Sequence, residues 1–280
     1  MIRTSPTPFS ERSIALLRCV GHCGPLYFNQ VLRVLPAFAP LLNERKSRER
    51  LLYGELARLV KRRLLGRRRP VGGRSAAYFS TARGAALVEA SGHGSPDLSS
   101  VDRFFSKPAH DEILHGLVVE LVLAKAQGES SLLELAWSHS ERYEVNLAAG
   151  GRNGQYEPDA MLWLTLEDRQ ELTVFVEVDR GTETLGYWTR KIEKVKGLLL
   201  GCGSSGLLLV VAEGARRLRS LLSATHEAFG PPLCERTLWI TAAEFEAERV
   251  LVDPVFLRWS SSSEQVTRAK LVDVAAQVAS

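Results

Sequence analysis

Cysteine is scarce. Cys19, Cys23, Cys202 and Cys234 are scattered through 280 residues, too few and too far apart for a disulfide framework. Cys19 and Cys23 are four apart and share one helix face. A zinc site would need two further ligands, and only His22 lies near, so both read as small core residues. No run of 18 or more apolar residues occurs, which excludes a membrane-spanning helix. Met1 to Ser10 lacks the basic-then-apolar pattern of a secretory signal. The expectation is a cytoplasmic protein in a reducing compartment, with no membrane partner. Internal repeats and long low-complexity tracts are also missing.

What is present is ordinary globular material: 45% hydrophobic and 24% charged residues, enough for a real core and a length that suggests about two domains. The charge is unevenly spread. Residues 1–90 carry 17 Lys and Arg against 5 Asp and Glu, a net +12, whereas residues 91–280 carry 19 against 27, a net −8. Such asymmetry points to a nucleic-acid-binding module joined to a domain with another task.

Three helices are predicted in the basic part. Ser10 caps one through Glu11–Val20, and Gly21 and Gly24 end it. The second covers Phe28–Leu35, and Pro36 and Pro40 break the chain beyond it. Ser47 opens the third, which runs to Leu65 on a stripe of Leu51, Leu52, Leu56, Leu59 and Val60 until Gly66 stops it. Three short helices of this spacing fit a helix-turn-helix. Arg67-Arg68-Arg69-Pro70, Gly72-Gly73-Arg74 and Ala77-Tyr78-Phe79-Ser80 then read as a β-hairpin with a basic tip, and the stretch through Gly84 resembles the end of a winged-helix domain. Residues 1–90 are thus a candidate winged helix-turn-helix whose partner is double-stranded DNA. Arg48, Arg50, Arg58, Lys61, Arg62 and Arg63 on or after the third helix, with Arg67, Arg68, Arg69 and Arg74 on the wing, are the candidate DNA contacts. The bland alternative is a solvated basic face complementing a helix dipole.

Residues 91–107, rich in Gly, Ser and Pro, read as a linker. From 108 to 280 the order is a helix at Pro108–Lys125, strands near Leu132–Ser138, Asp159–Leu166 and Leu172–Val178, a helix at Leu185–Leu200, a doubly buried strand at Leu207–Val211, a helix at Ala215–Phe229 and a strand at Thr237–Thr241. The fold class is α/β in the mixed, α+β sense. The order resembles the αβββαβ core of restriction-endonuclease-like domains.

Glu157-Pro158-Asp159 opens one strand and Glu177-Val178-Asp179 closes the next, so a hairpin would set Asp159 beside Glu177. Two carboxylates on neighbouring strand ends suit Mg²⁺ or Mn²⁺, which would polarise a phosphodiester and acidify an attacking water. Asp159 and Glu177 are therefore the candidate metal ligands and catalytic acids. The pattern resembles that of PD-(D/E)XK nucleases, in which a helical acid often joins the site; Glu120 is the candidate here. Where a lysine would follow the second acid by two positions, this chain has Asp179, which is a further candidate catalytic residue. Lys191, Lys194 or Arg190 on the next helix could stand in, Lys191 foremost. Asp179 and Arg180 could instead form an ion pair ordering Gly181, with Thr184 capping the helix, Trp188 in the core and His115 a satisfied core histidine.

Most of the chain is similar to the replication-relaxation family of plasmids and integrative elements. The similarity rests on Leu114-His115-Gly116-Leu117, Glu157-Pro158-Asp159, the run Phe175–Thr184, Trp188-Thr189-Arg190-Lys191-Ile192 and the run Leu251–Phe256. It implies a role on mobile-element DNA: replication, mobilisation or their control. Three readings stay open: a DNA-binding protein with a nuclease-like scaffold, an active metal-dependent endonuclease or nickase, and a transcription regulator sensing a small ligand. A homodimer would suit paired half-sites.

Overall fold

The structure, a computed structural model, describes residues 9–39, 45–70, 75–94, 98, 100–126, 132–139, 143–147, 152–166, 169–202, 205–247, 256–260, 265–271 and 273–274. The chain mixes helices and sheets in two compact units, Met1–Val119 and Glu120–Ser280.

The first unit runs α1 (Glu11–Cys23), β1 (Leu26–Tyr27), α2 (Phe28–Phe38), α3 (Arg45–Lys61), β2 (Leu65–Arg68), β3 (Ala77–Ser80), α4 (Ala82–Ala90) and α5 (Ser100–Ser106), then enters α6 (Pro108–Ala126). The Ser10 hydroxyl caps α1 by accepting from the Ser13 amide at 3.2 Å. The strands form an antiparallel sheet ordered β1-β3-β2. Leu16, Leu17 and Val20 of α1, Val31 and Val34 of α2, and Leu52, Leu56 and Leu59 of α3 are buried with Leu65 and Tyr78 of the sheet. Cys19 and Cys23 are buried thiols in the same core.

Several boundaries differ from expectation, each for a local reason. Pro36 does not break α2: it lies inside the helix, where it forgoes only the one bond its N–H would have made to the Leu32 carbonyl, and the Ala39 amide still reaches the Leu35 carbonyl at 3.0 Å. The third helix ends at Lys61, not Leu65. Arg63 takes φ 60, and the amides of Leu64 and Arg63 return to the Leu59 and Val60 carbonyls at 3.0 and 2.9 Å, the closure made by a left-handed residue after a helix. Gly66 lies in β2 instead, where a Cβ would stand 2.1 Å from the Phe79 ring. Leu51 is 51% exposed, because it sits one residue, about 100° around the helix, from buried Leu52. Within 91–107, α5 buries Phe104 and Phe105 against Tyr27 and Ala77. His115 of α6 is buried, its Nδ1 2.9 Å from the Pro25 carbonyl and its ring against Phe104.

The second unit continues with β4 (Leu132–His139), β5 (Tyr143–Leu147), β6 (Arg152–Tyr156), β7 (Ala160–Leu166), β8 (Glu171–Asp179), α7 (Leu185–Gly201), β9 (Gly206–Ala212), α8 (Ala215–Phe229), α9 (Pro231–Cys234), β10 (Thr237–Thr241), α10 (Ala242–Ala247), β11 (Phe256–Ser260) and β12 (Gln265–Ala269). Seven strands make one sheet in the order β12-β11-β10-β9-β8-β7-β4. β4, β7 and β8 pair antiparallel, β8, β9 and β10 parallel. All seven residues of β9 are buried, as its unbroken apolar run requires. Trp188, Ile192, Val195 and Leu199 of α7 pack with Leu218 and Leu221 of α8, Leu208 and Val210 of β9, and Trp239. The Trp188 indole donates to Thr225 Oγ1 at 3.0 Å. The β5–β6 hairpin and the β11–β12 pair were not foreseen; the hairpin packs on α7. Among the described residues, no helix is long and apolar enough to cross a membrane.

Candidate functional site

The hairpin of β7 and β8 does what the spacing of the acids requires. Just ahead of β7, the Asp159 amide donates to the Val176 carbonyl at 3.0 Å, and Asp159 Oδ2 accepts from the Val178 amide at 2.9 Å. Both partners flank Glu177, so Asp159 is pinned beside it. Glu177 is wholly buried on β8. Its Oε2 meets the ammonium of Lys191, and its Oε1 accepts from the hydroxyl of buried Tyr156, at the end of β6. Lys191 Nζ also lies 3.9 Å from Glu183 Oε2.

Helix phase delivers this lysine. Thr184 caps α7, its hydroxyl accepting from the Tyr187 amide at 3.2 Å. Trp188 and Ile192 seat the helix by their buried side chains, and Lys191, three residues after Trp188, falls on nearly the same face. Lys194, one turn on, is half-buried, while Arg190 is exposed with its guanidinium 6.0 Å from the Tyr187 ring centroid.

Burial pushes the Glu177 carboxyl up to about 8; Lys191 pulls it down and Asp159 adds to the rise. Burial alone would lower Lys191, but the carboxylates of Glu177 and Asp159 outweigh it and hold the ammonium well above its usual range. Burial, then Glu177, raises the Tyr156 phenol far above its ordinary value, so it donates and stays protonated.

Asp179 takes another part. Arg217 of α8 grips it with two hydrogen bonds of 2.8 Å and also donates to the Glu183 carbonyl at 2.7 Å. The Gly181 amide donates to Asp179 Oδ1 at 2.7 Å. Asp179 thus orders the turn before α7, where Gly181 takes φ 72, and its partner is Arg217 rather than Arg180. Glu120 is buried on α6. Of the candidate catalytic residues the structure brings together Asp159, Glu177 and Lys191. Sequence reasoning missed Tyr156 and Arg217. A tyrosine three residues before Asp159 was a weak signal for the first; nothing distinguished Arg217 from its neighbour Arg216.

The basic residues of the first unit divide by environment. Arg50, Lys61 and Arg69 are exposed. Arg58 is engaged by Glu55 of its own helix and donates to Ser13 Oγ of α1 at 3.0 Å. The guanidiniums of Arg62, Arg67 and Arg68 lie over the rings of Phe9, Tyr78 and Phe105. Arg63 is the left-handed residue after α3. The side chain of Arg48 and all of Arg74 lie outside the described residues. A cavity of about 350 Å³ beside β11 and β12 is lined mainly by polar groups, among them Glu235, Arg258, Thr267 and Arg268.

No curated protein and no solved structure matches the chain. The family model described as replication-relaxation matches residues 29–199, a span holding α3, the basic β2–β3 segment, Asp159, Glu177 and Lys191. With more than half of its length so matched, the chain belongs to the replication-relaxation family.

Proposed function

We propose that this protein binds duplex DNA of mobile elements through its first unit and cleaves or nicks DNA with a metal-dependent site in its second. The observation that carries the reading is the ammonium of Lys191 on the Glu177 carboxylate, beside Asp159. A PD-(D/E)XK-like site needs a cation near its paired acids, and here α7 supplies one that the strand lacks. The order α1-β1-α2-α3-β2-β3 with sheet order β1-β3-β2 supports a winged helix. The element order α6-β4-β7-β8-α7-β9 supports a restriction-endonuclease-like core with β5 and β6 inserted.

The donor set suits a hard divalent cation: two carboxylates and no thiolate or imidazole. Among the described residues no group of three or more acidic, His or Cys side chains could hold a metal, so Asp159 and Glu177 would hold Mg²⁺ or Mn²⁺ with water and substrate phosphate, as Mg²⁺ commonly is. When bound, the ion would neutralise phosphate charge and acidify a water. Lys191 would stabilise negative charge developing on the phosphate.

A second reading has its own observation. Both oxygens of Glu177 are engaged, by Tyr156 and Lys191, in a wholly buried position. That also describes a structural network in a scaffold that binds DNA without cutting it. Supercoiled plasmid with Mg²⁺ or Mn²⁺ separates the two. Metal-dependent nicking or linearisation by the wild type, lost in Asp159→Asn and Lys191→Met variants that still shift DNA, is the expected result. Equal DNA binding with no cleavage by any of the three would leave the scaffold reading standing and sink the nuclease.

A further inference from the structure

The stripe of α3 farthest from the core is made of Arg50, Gly54, Ala57 and Lys61, at helical spacings of four, three and four. All four are exposed, opposite buried Leu52, Leu56 and Leu59. Tyr53 and Leu51, 53% and 51% exposed, flank the stripe. Gly54 has no explanation within the fold. A Cβ there would meet nothing within 4 Å, its φ is not left-handed, and glycine is the poorest helix-interior residue after proline. The chain therefore carries a helix weakened at its midpoint on a surface that could hold any side chain.

We infer that this stripe is the face α3 lays into the major groove of duplex DNA, with Gly54 and Ala57 kept small so that the helix approaches the base edges closely. The inference rests on the DNA-binding reading above and names the side of α3 that reads. Charge complementarity selects the occupant. The stripe ends in two cations about 16 Å apart along the axis, suited to the phosphate strands bordering a groove about 12 Å wide, in a segment with a net charge of +12 over residues 1–90. Neither cation has an ion-pair partner among the described residues. Arg58, by contrast, is turned to Glu55 and Ser13, so the α1 side of α3 is already committed. Ala57 and the Tyr53 ring leave an apolar middle that suits thymine methyl groups, so A·T pairs are expected at the centre of a bound site.

The test uses folding and binding changes of opposite sign. In the full chain, Gly54→Ala and Gly54→Leu should each raise the melting midpoint of the first unit by a few degrees, since both are better helix formers. The same variants should weaken binding to duplexes enriched from a random pool by the wild type, by about tenfold for leucine and less for alanine, with little change on an unrelated duplex held by phosphate contacts. Enriched duplexes should be A·T-rich at the protected centre. Variants that are stabilised yet bind enriched duplexes as tightly as wild type would overturn the inference while leaving DNA binding intact. A changed oligomeric state with unchanged DNA affinity would overturn it in favour of a second copy of the chain. A wild type that binds no duplex would overturn the DNA reading itself.

Discussion

Glu177 offers the sharpest test of the buried cluster, because its titration should be visible in stability. In the folded chain its carboxyl is raised to about 8 against an ordinary 4.5, chiefly by burial. A raised acid stabilises the fold fully below the unfolded value and loses that contribution as pH climbs through the folded value. The window is therefore pH 4.5 to about 8. At about 1.4 kcal/mol per unit, and with no solvent exposure to screen it, the full loss is on the order of 5 kcal/mol. Glu177→Gln keeps the shape and an acceptor for the Tyr156 hydroxyl but cannot titrate. In that variant Lys191 keeps the Asp159 carboxylate against the burial that lowers it. All five tryptophans lie in the second unit, so denaturant titrations read by tryptophan fluorescence report that unit. With EDTA present, the variant should gain on the wild type by on the order of 4 kcal/mol between pH 5 and pH 9. A difference that stays flat over that range would refute the burial argument and, with it, the description of Glu177 as a desolvated acid held by Lys191.

Two further substitutions test the surrounding architecture. Arg217→Ala strips the almost fully buried Asp179 of its paired cation and should cost the second unit about 3 kcal/mol in the same fluorescence titration; a lysine there should restore little, since it cannot make the two-pronged contact. A loss under about 0.5 kcal/mol, the range of an ordinary surface change, would show that the turn before α7 is ordered without that pair. Gly84→Ala, in the first turn of α4, would set a Cβ 2.1 Å from the Leu64 carbonyl oxygen. Backbone there cannot step aside as a side chain could, so crowding of about 1–3 kcal/mol should exceed the helix-propensity gain of about 1 kcal/mol. Circular dichroism melting of the helical first unit would read the balance, and a stabilised variant would contradict it.

Much of the architecture was legible because period and composition act locally. Leu207–Val211 could only be a strand covered on both faces. The alternation around Leu172–Val178 and the breadth of Ala215–Phe229 set those elements within two residues. The β5–β6 hairpin went unread because β6, Arg152–Tyr156, carries no apolar alternation. β11 and β12 were missed because neither carries the apolar run of β10, a strand of the same length; β12 is exposed over most of its residues. Gly66 was read as a helix stop because a glycine that ends a helix and one that makes room for an aromatic ring look alike until Phe79 is seen across the strand pair.

Within the candidate site, the sequence by itself determined that two acids close neighbouring strand ends, that no lysine follows the second acid at the usual distance, and that several cations lie on the next helix. Those are facts of order and spacing along one chain. Which cation meets Glu177, that Tyr156 holds the other oxygen, that Asp179 serves Arg217 rather than Arg180, and that Arg58 is held by Glu55 and Ser13 were decided only in three dimensions. Helix phase and strand register turn a spacing into a direction, and a shift of one residue, about 100° on a helix or the opposite face of a strand, changes every partner.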